Sequence, residues 1–245
     1  MRLYVISLRG PVVRLCALVV LLMGGVSFVN PRLLRASPTN LPIPVYRVET
    51  AHHAMALTIN VVWGTEYVPK MLEELRSAQV RATFMVGGAW AKANPELVRE
   101  MVADKDEVGN HGYRHRHPNQ LSLAENIADI TRTNQVIKTV AGVQPTLYAP
   151  PYGEFNRTVL EASQLAHMTL VMWTIDTIDW RESSSVHYMT TKVLTRAAPG
   201  ALVLMHPTAR TVAALPQIIQ GLKHRNFQLV TVSRLLLWGH ARTDS

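Results

Sequence analysis

Residues 107–117 read EVGNHGYRHRH, in which His111 and His115 stand four apart and His117 follows just beyond. Neutral imidazole is the commonest protein ligand for zinc and similar divalent ions. A pair at this spacing converges on one ion if it lies on a helix face. Gly112 and the polar Arg114 and Arg116 argue instead for a strand running out into a loop, with apolar Met101, Val102 and Val108 upstream. Taken alone, an H-x-x-x-H in a cationic chain is more often a solvated basic loop than a metal site. The elements that would have to position these histidines decide between the two.

The chain has 245 residues, 48% of them hydrophobic, which excludes intrinsic disorder and suffices for one domain with a full core. Its formal charge of +8 suggests nucleic acid until it is located. Residues 1–50 carry six Lys and Arg against one acid, and the remaining 195 residues carry nineteen against sixteen. No basic patch interleaved with aromatics stands out, so no nucleic-acid partner is expected. Cys16 is the one cysteine, so there is no internal disulfide.

Arg2, Arg9 and Arg14 precede fifteen uncharged residues, 15–29. A basic start and a short apolar run mark a secretory signal or signal anchor over residues 1–30. Fifteen residues fall short of the roughly 20 of a comfortable membrane span. Residues 31–54 read as an extended linker, and 55–240 as the folded domain. The domain is expected outside the cytoplasmic membrane, secreted or held to it by the N-terminal segment.

Along the domain, apolar strands alternate with amphipathic helices. Strands are expected at 55–63, 81–86, 107–110, 146–149, 168–175, 201–205 and 227–232. Helices are expected at 66–78, 94–103, 122–140, 156–165, 186–197 and 212–224, with a last turn at 233–238. The third helix opens on Ser122-x-x-Glu125, a capping box, and ends at Gly142. Such alternation implies parallel strands with right-handed crossovers, in an open doubly wound sheet or a barrel. Both collect ligands at the carboxyl ends of the strands. There the chain places Asn60, then His111 and His115, then Tyr152 and Gly153, then Asp176 and Asp179, then His206. Histidines and carboxylates after several strands of one domain form a catalytic layout.

These residues, in this order, resemble the polysaccharide deacetylases, the NodB-homology domain of carbohydrate esterase family 4, over about residues 55–237. Asn110-His111-Gly112-Tyr113-Arg114-His115 matches that family's N-H-[ST]-x-x-H-like motif, and Ala149-Pro150-Pro151-Tyr152-Gly153 its R-x-P-[YF]-G. Asp176-Thr177-Ile178-Asp179-Trp180 matches D-x-x-D-W, and Leu204-Met205-His206 matches L-x-H. The resemblance implies a distorted (β/α) barrel of about seven parallel strands. It also implies hydrolysis of acetyl groups on chitin-like or peptidoglycan sugars, with a divalent metal, zinc foremost, held by Asp-His-His. His111 and His115 are the implied metal ligands, and His206, held by Asp176 or Asp179, the implied general acid. Tyr152, through its backbone N–H, and Pro151, Trp180 and Leu204 are the implied substrate contacts.

The first motif departs from this pattern. Where the family reads T-F-D-D-G, this chain has Thr58-Ile59-Asn60-Val61-Val62-Trp63-Gly64. Asn60 falls where the catalytic base belongs and Val61 where the metal carboxylate belongs, while Ala149 replaces the arginine that steadies the base. This form is similar to the sporulation-associated, deacetylase-like branch of the family. Glu66 or His117 is the available substitute ligand, although Glu66 also suits a helix N-terminus and His117 a loop. Two functions follow. One is a metal-dependent, attenuated deacetylase of cell-wall amino-sugar polymers. The other is a pseudo-enzyme that binds glycan or an envelope partner without hydrolysis.

Overall fold

The computed structural model describes residues 41–242, so the expected signal segment lies outside the described residues. At its centre is β2, Ala54–Val61, buried along its whole length. It lies between β3 (Thr83–Val86) and β8 (Leu202–Met205), both parallel to it. A strand covered on both faces reads as a continuous apolar run, which is the character of AMALTINV. Beyond β3 come β4 (Glu107–Asn110), β5 (Leu147–Tyr148) and β6 (Thr169–Leu170), and beyond β8 comes β7 (Ile175–Asp176). All seven are parallel, and a short β9 (Gln228–Leu229) pairs with the start of β2.

The sheet is forced to curl. Its two edge strands, β6 and β7, are joined by residues 171–174 alone. From Leu170 to Ile175 an extended chain reaches about 17 Å. A flat sheet would set those edges about 29 Å apart, six steps at the usual strand spacing. The result is the distorted, half-closed barrel expected of the family.

Alternation along β2 then sorts its side chains. Met55, Leu57, Ile59 and Val61 face outward into the main core, against α1 (Val68–Ser77), α3 (Pro95–Ala103), α6 (Val186–Arg196) and α7 (Ala209–His224). Ala54 and Ala56 face inward and pack with Leu202, Val171 and Leu235, the last from α8 (Val232–Leu236). The long α4 (Leu123–Ala141) packs with α5 (Arg157–Leu165) around Ile130 and Val159. Its capping box forms as expected, and Gly142 closes it in a left-handed conformation.

Three expectations need correction. The single strand at 168–175 is two strands at opposite edges. Its middle is pulled off the sheet line because Met172 N donates to Val45 O at 2.8 Å, and Thr174 Oγ1 to Tyr46 O at 2.7 Å. Part of the expected linker belongs to the domain: β1 (Arg47–Thr50) pairs antiparallel with β10 (Gly239–Arg242), and Val45 and Val48 are buried. No element is expected between the strand at 81–86 and the helix at 94–103, yet Gly88 opens α2 (Gly88–Ala93) there. A Cβ on Gly88 would sit 2.6 Å from Tyr113 Cδ2 and 2.9 Å from Thr133 Oγ1, so this glycine serves close packing.

The contact that fastens β1 generates a prediction. Gly200 has φ +79°, and a Cβ there would lie 1.6 Å from Val48 O. Gly142 has φ +74° but open space around it. Gly200→Ala is expected to destabilise the fold by about 3 kcal/mol or more in denaturant unfolding. Gly142→Ala should cost about 1 kcal/mol, the left-handed backbone penalty alone. Equal losses would show that β1 is not held by this approach.

Candidate active site

At the carboxyl ends of the strands lies a cavity of about 400 Å³. It is lined by Asn60, His111, His115, Tyr152, Asp176, Trp180, Leu204 and His206, so eight of the residues given a site role in the sequence meet there. Val62, Trp63, Gly153 and Trp173 complete the lining.

His111 follows β4 directly and is buried. Its Nδ1 lies 2.7 Å from Ala149 O, and a carbonyl only accepts, so Nδ1 carries the proton and Nε2 the lone pair. Asn110, fully buried, fixes the loop behind it. Its amide donates to Ile130 O and to Asn134 Oδ1, at 2.8 and 2.7 Å, and its Oδ1 accepts from Gly112 N at 2.8 Å. His115, 5.0 Å from His111 between ring centroids, reaches the cavity through a left-handed backbone at φ +52°. Tyr152 and Ile178 share that conformation, at φ +60° and +57°. Three strained non-glycine residues in three loops, His115 and Tyr152 on the cavity wall and Ile178 between Asp176 and Asp179, show loops set by the surrounding packing.

The alternatives for the residue holding His206 resolve to Asp179. This fully buried carboxylate accepts from His206 Nδ1 at 2.8 Å, from His206 N at 2.5 Å and from Thr211 Oγ1 at 2.6 Å. Asp179 thereby fixes the ring so that His206 Nε2 is the nitrogen left for chemistry. Asp176 lies on the wall instead, with Oδ1 accepting from Ile178 N at 2.7 Å.

Two imidazoles of this cavity, His111 and His115, resist protonation. His111 is lowered to about 3, first by burial and then by the charges of His115 and His206. His115 is lowered too, by burial first and then by His206 and His117.

The metal centre implied by the family does not fit these residues. Val61 points outward into the main core, as its parity on β2 requires, so a ligand at that position would face the helices. The next inward position is Val62, which carries no donor atom. Glu66 is exposed and off the cavity wall. His117 is engaged elsewhere, stacked on Tyr152 at 4.0 Å and 3.0 Å from Glu154 Oε1. Among the described residues no group of three or more His, Cys, Asp or Glu could hold a metal ion. Catalytic zinc takes three protein ligands, and the two histidines stop one short.

Two further adjustments concern the walls. Pro151 is buried off the cavity, where a Cβ on Gly112 would meet its Cγ at 3.1 Å, so it backs the histidine loop. Trp63 and Trp173, to which the sequence assigned no role, are wall residues. Trp63 lies parallel to the His206 ring at 6.0 Å, and Gly153 leaves room for Trp173, whose Cη2 would be 2.4 Å from a Cβ there. Trp63 closes the expected strand 55–63, which was its signal, whereas Trp173 falls inside the expected strand 168–175 and left none. Trp63, Trp180 and Tyr152 are 43%, 52% and 53% exposed, leaving aromatic faces open to a ligand.

Residues 47–171 match the family profile described as polysaccharide deacetylase. Protein YlxY of Bacillus subtilis is 37% identical over 195 residues, covering 80% of this chain and 61% of its own length. The peptidoglycan-N-acetylglucosamine deacetylase PgdA of Listeria monocytogenes is 32% identical over 210 residues, covering 85% of this chain and 44% of its own. The chain thus spans less than two thirds of these relatives. Among solved structures, a CE4 family pseudoenzyme from Bacillus anthracis matches with TM-score 0.77 and 37% identity, over 80% of this chain and 69% of that one. A mutant of that pseudoenzyme with restored enzymatic activity matches with the same TM-score, at 35% identity, over 80% and 71%.

Burial of His111 makes stability depend on pH with a defined sign. Its folded value is about 3 against 6.5 for the free side chain, so the unfolded chain binds the proton more readily. The stability it lends is present above pH 6.5 and drains away as pH falls towards 3, at about 1.4 kcal/mol per pH unit. Asp106 acts oppositely: burial raises it from 3.8 to about 6, so it gains stability as pH falls through that range. The readout is therefore the difference in unfolding free energy between wild type and His111→Gln, which cancels Asp106. That difference should shrink from pH 7 to pH 4. A difference that does not change with pH would contradict a neutral, buried His111.

Proposed function

The chain belongs to the polysaccharide deacetylase family, and on that premise we propose that its domain binds N-acetylated cell-wall glycan with attenuated hydrolysis. The observation that carries this reading is the state of β2. Its inward residue at the cavity is an amide, Asn60, and its next inward residue is Val62. The amide donates and accepts hydrogen bonds and so suits an acetamido group, but it takes no proton from water near neutral pH. Loss of a positioned base costs about 10²–10⁴ in rate. The other half of the chemistry persists. When protonated, His206 supplies a proton to a departing amine, oriented by Asp179. The exposed aromatic faces of Trp63, Trp180 and Tyr152 suit the apolar faces of pyranose rings. The likeness to a CE4 family pseudoenzyme supports attenuation, and the relatives acting on peptidoglycan support the choice of polymer.

Acetate release from an N-acetylglucosamine oligomer, with and without added zinc, tests the reading on the full-length chain. The wild type should bind the oligomer and release acetate near background. Asn60→Asp combined with Val62→Asp should raise release at least about 100-fold, with zinc required. Asn60→Asp with Val61→Asp should instead destabilise the fold, because the new carboxylate is buried without a partner in the main hydrophobic core. Fast zinc-dependent turnover by the wild type, abolished in His206→Ala, would overturn attenuation.

Placement outside the cytoplasmic membrane rests on the basic start and the apolar run 15–29. Among the described residues no helix is long and apolar enough to cross a membrane. Protease added to intact spheroplasts should therefore digest the domain. Protection until lysis would refute this placement.

A further inference from the structure

A second cleft, of about 280 Å³, opens beside the cavity on the same loop. Arg114 and Arg116 line it, while His115 between them lines the cavity. The left-handed backbone at His115 divides the loop in this way. Arg132 and Asp129, both on α4, and Tyr113 complete the walls that matter here.

The cleft holds three guanidinium groups and one carboxylate. That carboxylate is already committed: Asp129 Oδ2 accepts from Tyr113 N at 2.6 Å, and Oδ1 from Arg116 Nη2 at 2.9 Å. Arg116 is thereby fixed rather than freely solvated. Arg132 is fixed by different means, its Cζ 3.7 Å above the centre of the Tyr113 ring. A guanidinium covered on one face by a ring keeps its edge N–H groups for a planar acid. Neither Arg114 nor Arg132 has an ion-pair partner among the described residues. Residues 51–245 carry only three more bases than acids, and the lining of this cleft alone has an excess of two. A merely solvated basic face has neither the concavity nor the two independent anchors.

We propose that this cleft is an anion subsite for a carboxylate or phosphate carried by the polymer whose N-acetylated sugar occupies the cavity. The proposal rests on the glycan-binding reading of the cavity and adds the charge of the ligand to it. Arg114 and Arg132 bind the anion, and Arg116, held on Asp129, borders it. Two sources offer this chemistry in a bacterial wall: lactyl or peptide carboxylates on the glycan, and phosphodiesters of an anionic polymer.

Calorimetric titration of the full-length chain separates the outcomes. The probes are a neutral N-acetylglucosamine oligomer, an oligomer of equal length containing N-acetylmuramic acid, and a glycerol-phosphate oligomer. The carboxylated oligomer should bind about five- to tenfold more tightly than the neutral one at low salt. The preference should vanish in Arg114→Gln/Arg132→Gln, with affinity for the neutral oligomer unchanged. Phosphate-oligomer binding lost in that variant, without a carboxylate preference, assigns the anion to phosphodiester and also supports the subsite. Arginine-dependent binding of an anionic probe without neutral-oligomer binding would sink the cavity reading and leave the subsite standing. The subsite is overturned if wild type shows neither carboxylate preference nor phosphate-oligomer binding, or if the double variant keeps whichever it shows.

Discussion

Four residues between β6 and β7 set the geometry on which the site depends. Residues 171–174 cannot span a flat seven-stranded sheet, so the sheet rolls until its edges come within their reach. Rolling turns one face of every strand inward and brings the loops after β2, β4, β5, β7 and β8 around one mouth. His111, Tyr152, Asp176 and His206 belong to four of those strands or the loops after them, and no local interaction would hold them together. The crossing residues also enter the site. Met172 and Thr174 are hydrogen-bonded to residues 45 and 46, while Trp173 between them lines the cavity. The constraint that curls the sheet therefore also furnishes part of the wall.

Within that frame the pleat of β2 decides which side chains can take part. A period of two sends Asn60 into the barrel and Val61 into the helix layer, and no motif comparison can reverse it. The expectation that position 61 stands for a metal ligand followed the order of letters and ignored this parity. The inward position that follows Asn60 is Val62, which lines the cavity and carries no donor. Chemistry at the mouth is consequently asymmetric, with an oriented imidazole–carboxylate pair on β8 and its neighbouring loop facing an amide and a hydrocarbon on β2.

How much of this was legible follows from the kind of signal each part leaves. β4 was placed to the residue, because a charged start, buried middle and glycine break bound it on both sides. The Ser122–Glu125 cap was equally plain, since its hydrogen bonds are local to four residues. Seven of the cavity's twelve lining residues were visible as polar or aromatic punctuation at or after strand ends. What failed depended on distant partners. Residues 168–175 are nearly all apolar because they cross a barrel mouth between two buried strands, and periodicity cannot tell that from one buried strand. β1 and β10 are short, irregular in pattern and 193 residues apart where Glu49 meets Arg242. Their pairing leaves no mark in either segment. The choice of Asp179 over Asp176 likewise required seeing Thr211 and the His206 amide converge on one carboxylate.

The retained Asp179–His206 pair need not be read as proof of turnover. Asp179 ties three donors from two segments, so it fastens the loop after β7 to the start of α7 whatever passes through the cavity. Removing such a buried carboxylate strands its partners, a loss of about 3 kcal/mol even in a protein that performs no chemistry. Asn110 behind the histidine loop is in the same position, with three hydrogen bonds to α4 and Gly112. Asn60 differs. It sits at the end of a strand already secured by its backbone ladder, and its side chain faces the cavity, so exchanging amide and carboxylate there alters the chemistry without cutting a side-chain tie between segments. A change of side chain at Asn60 is therefore one that this architecture accommodates more easily than loss of Asp179 or Asn110, through which the fold is built.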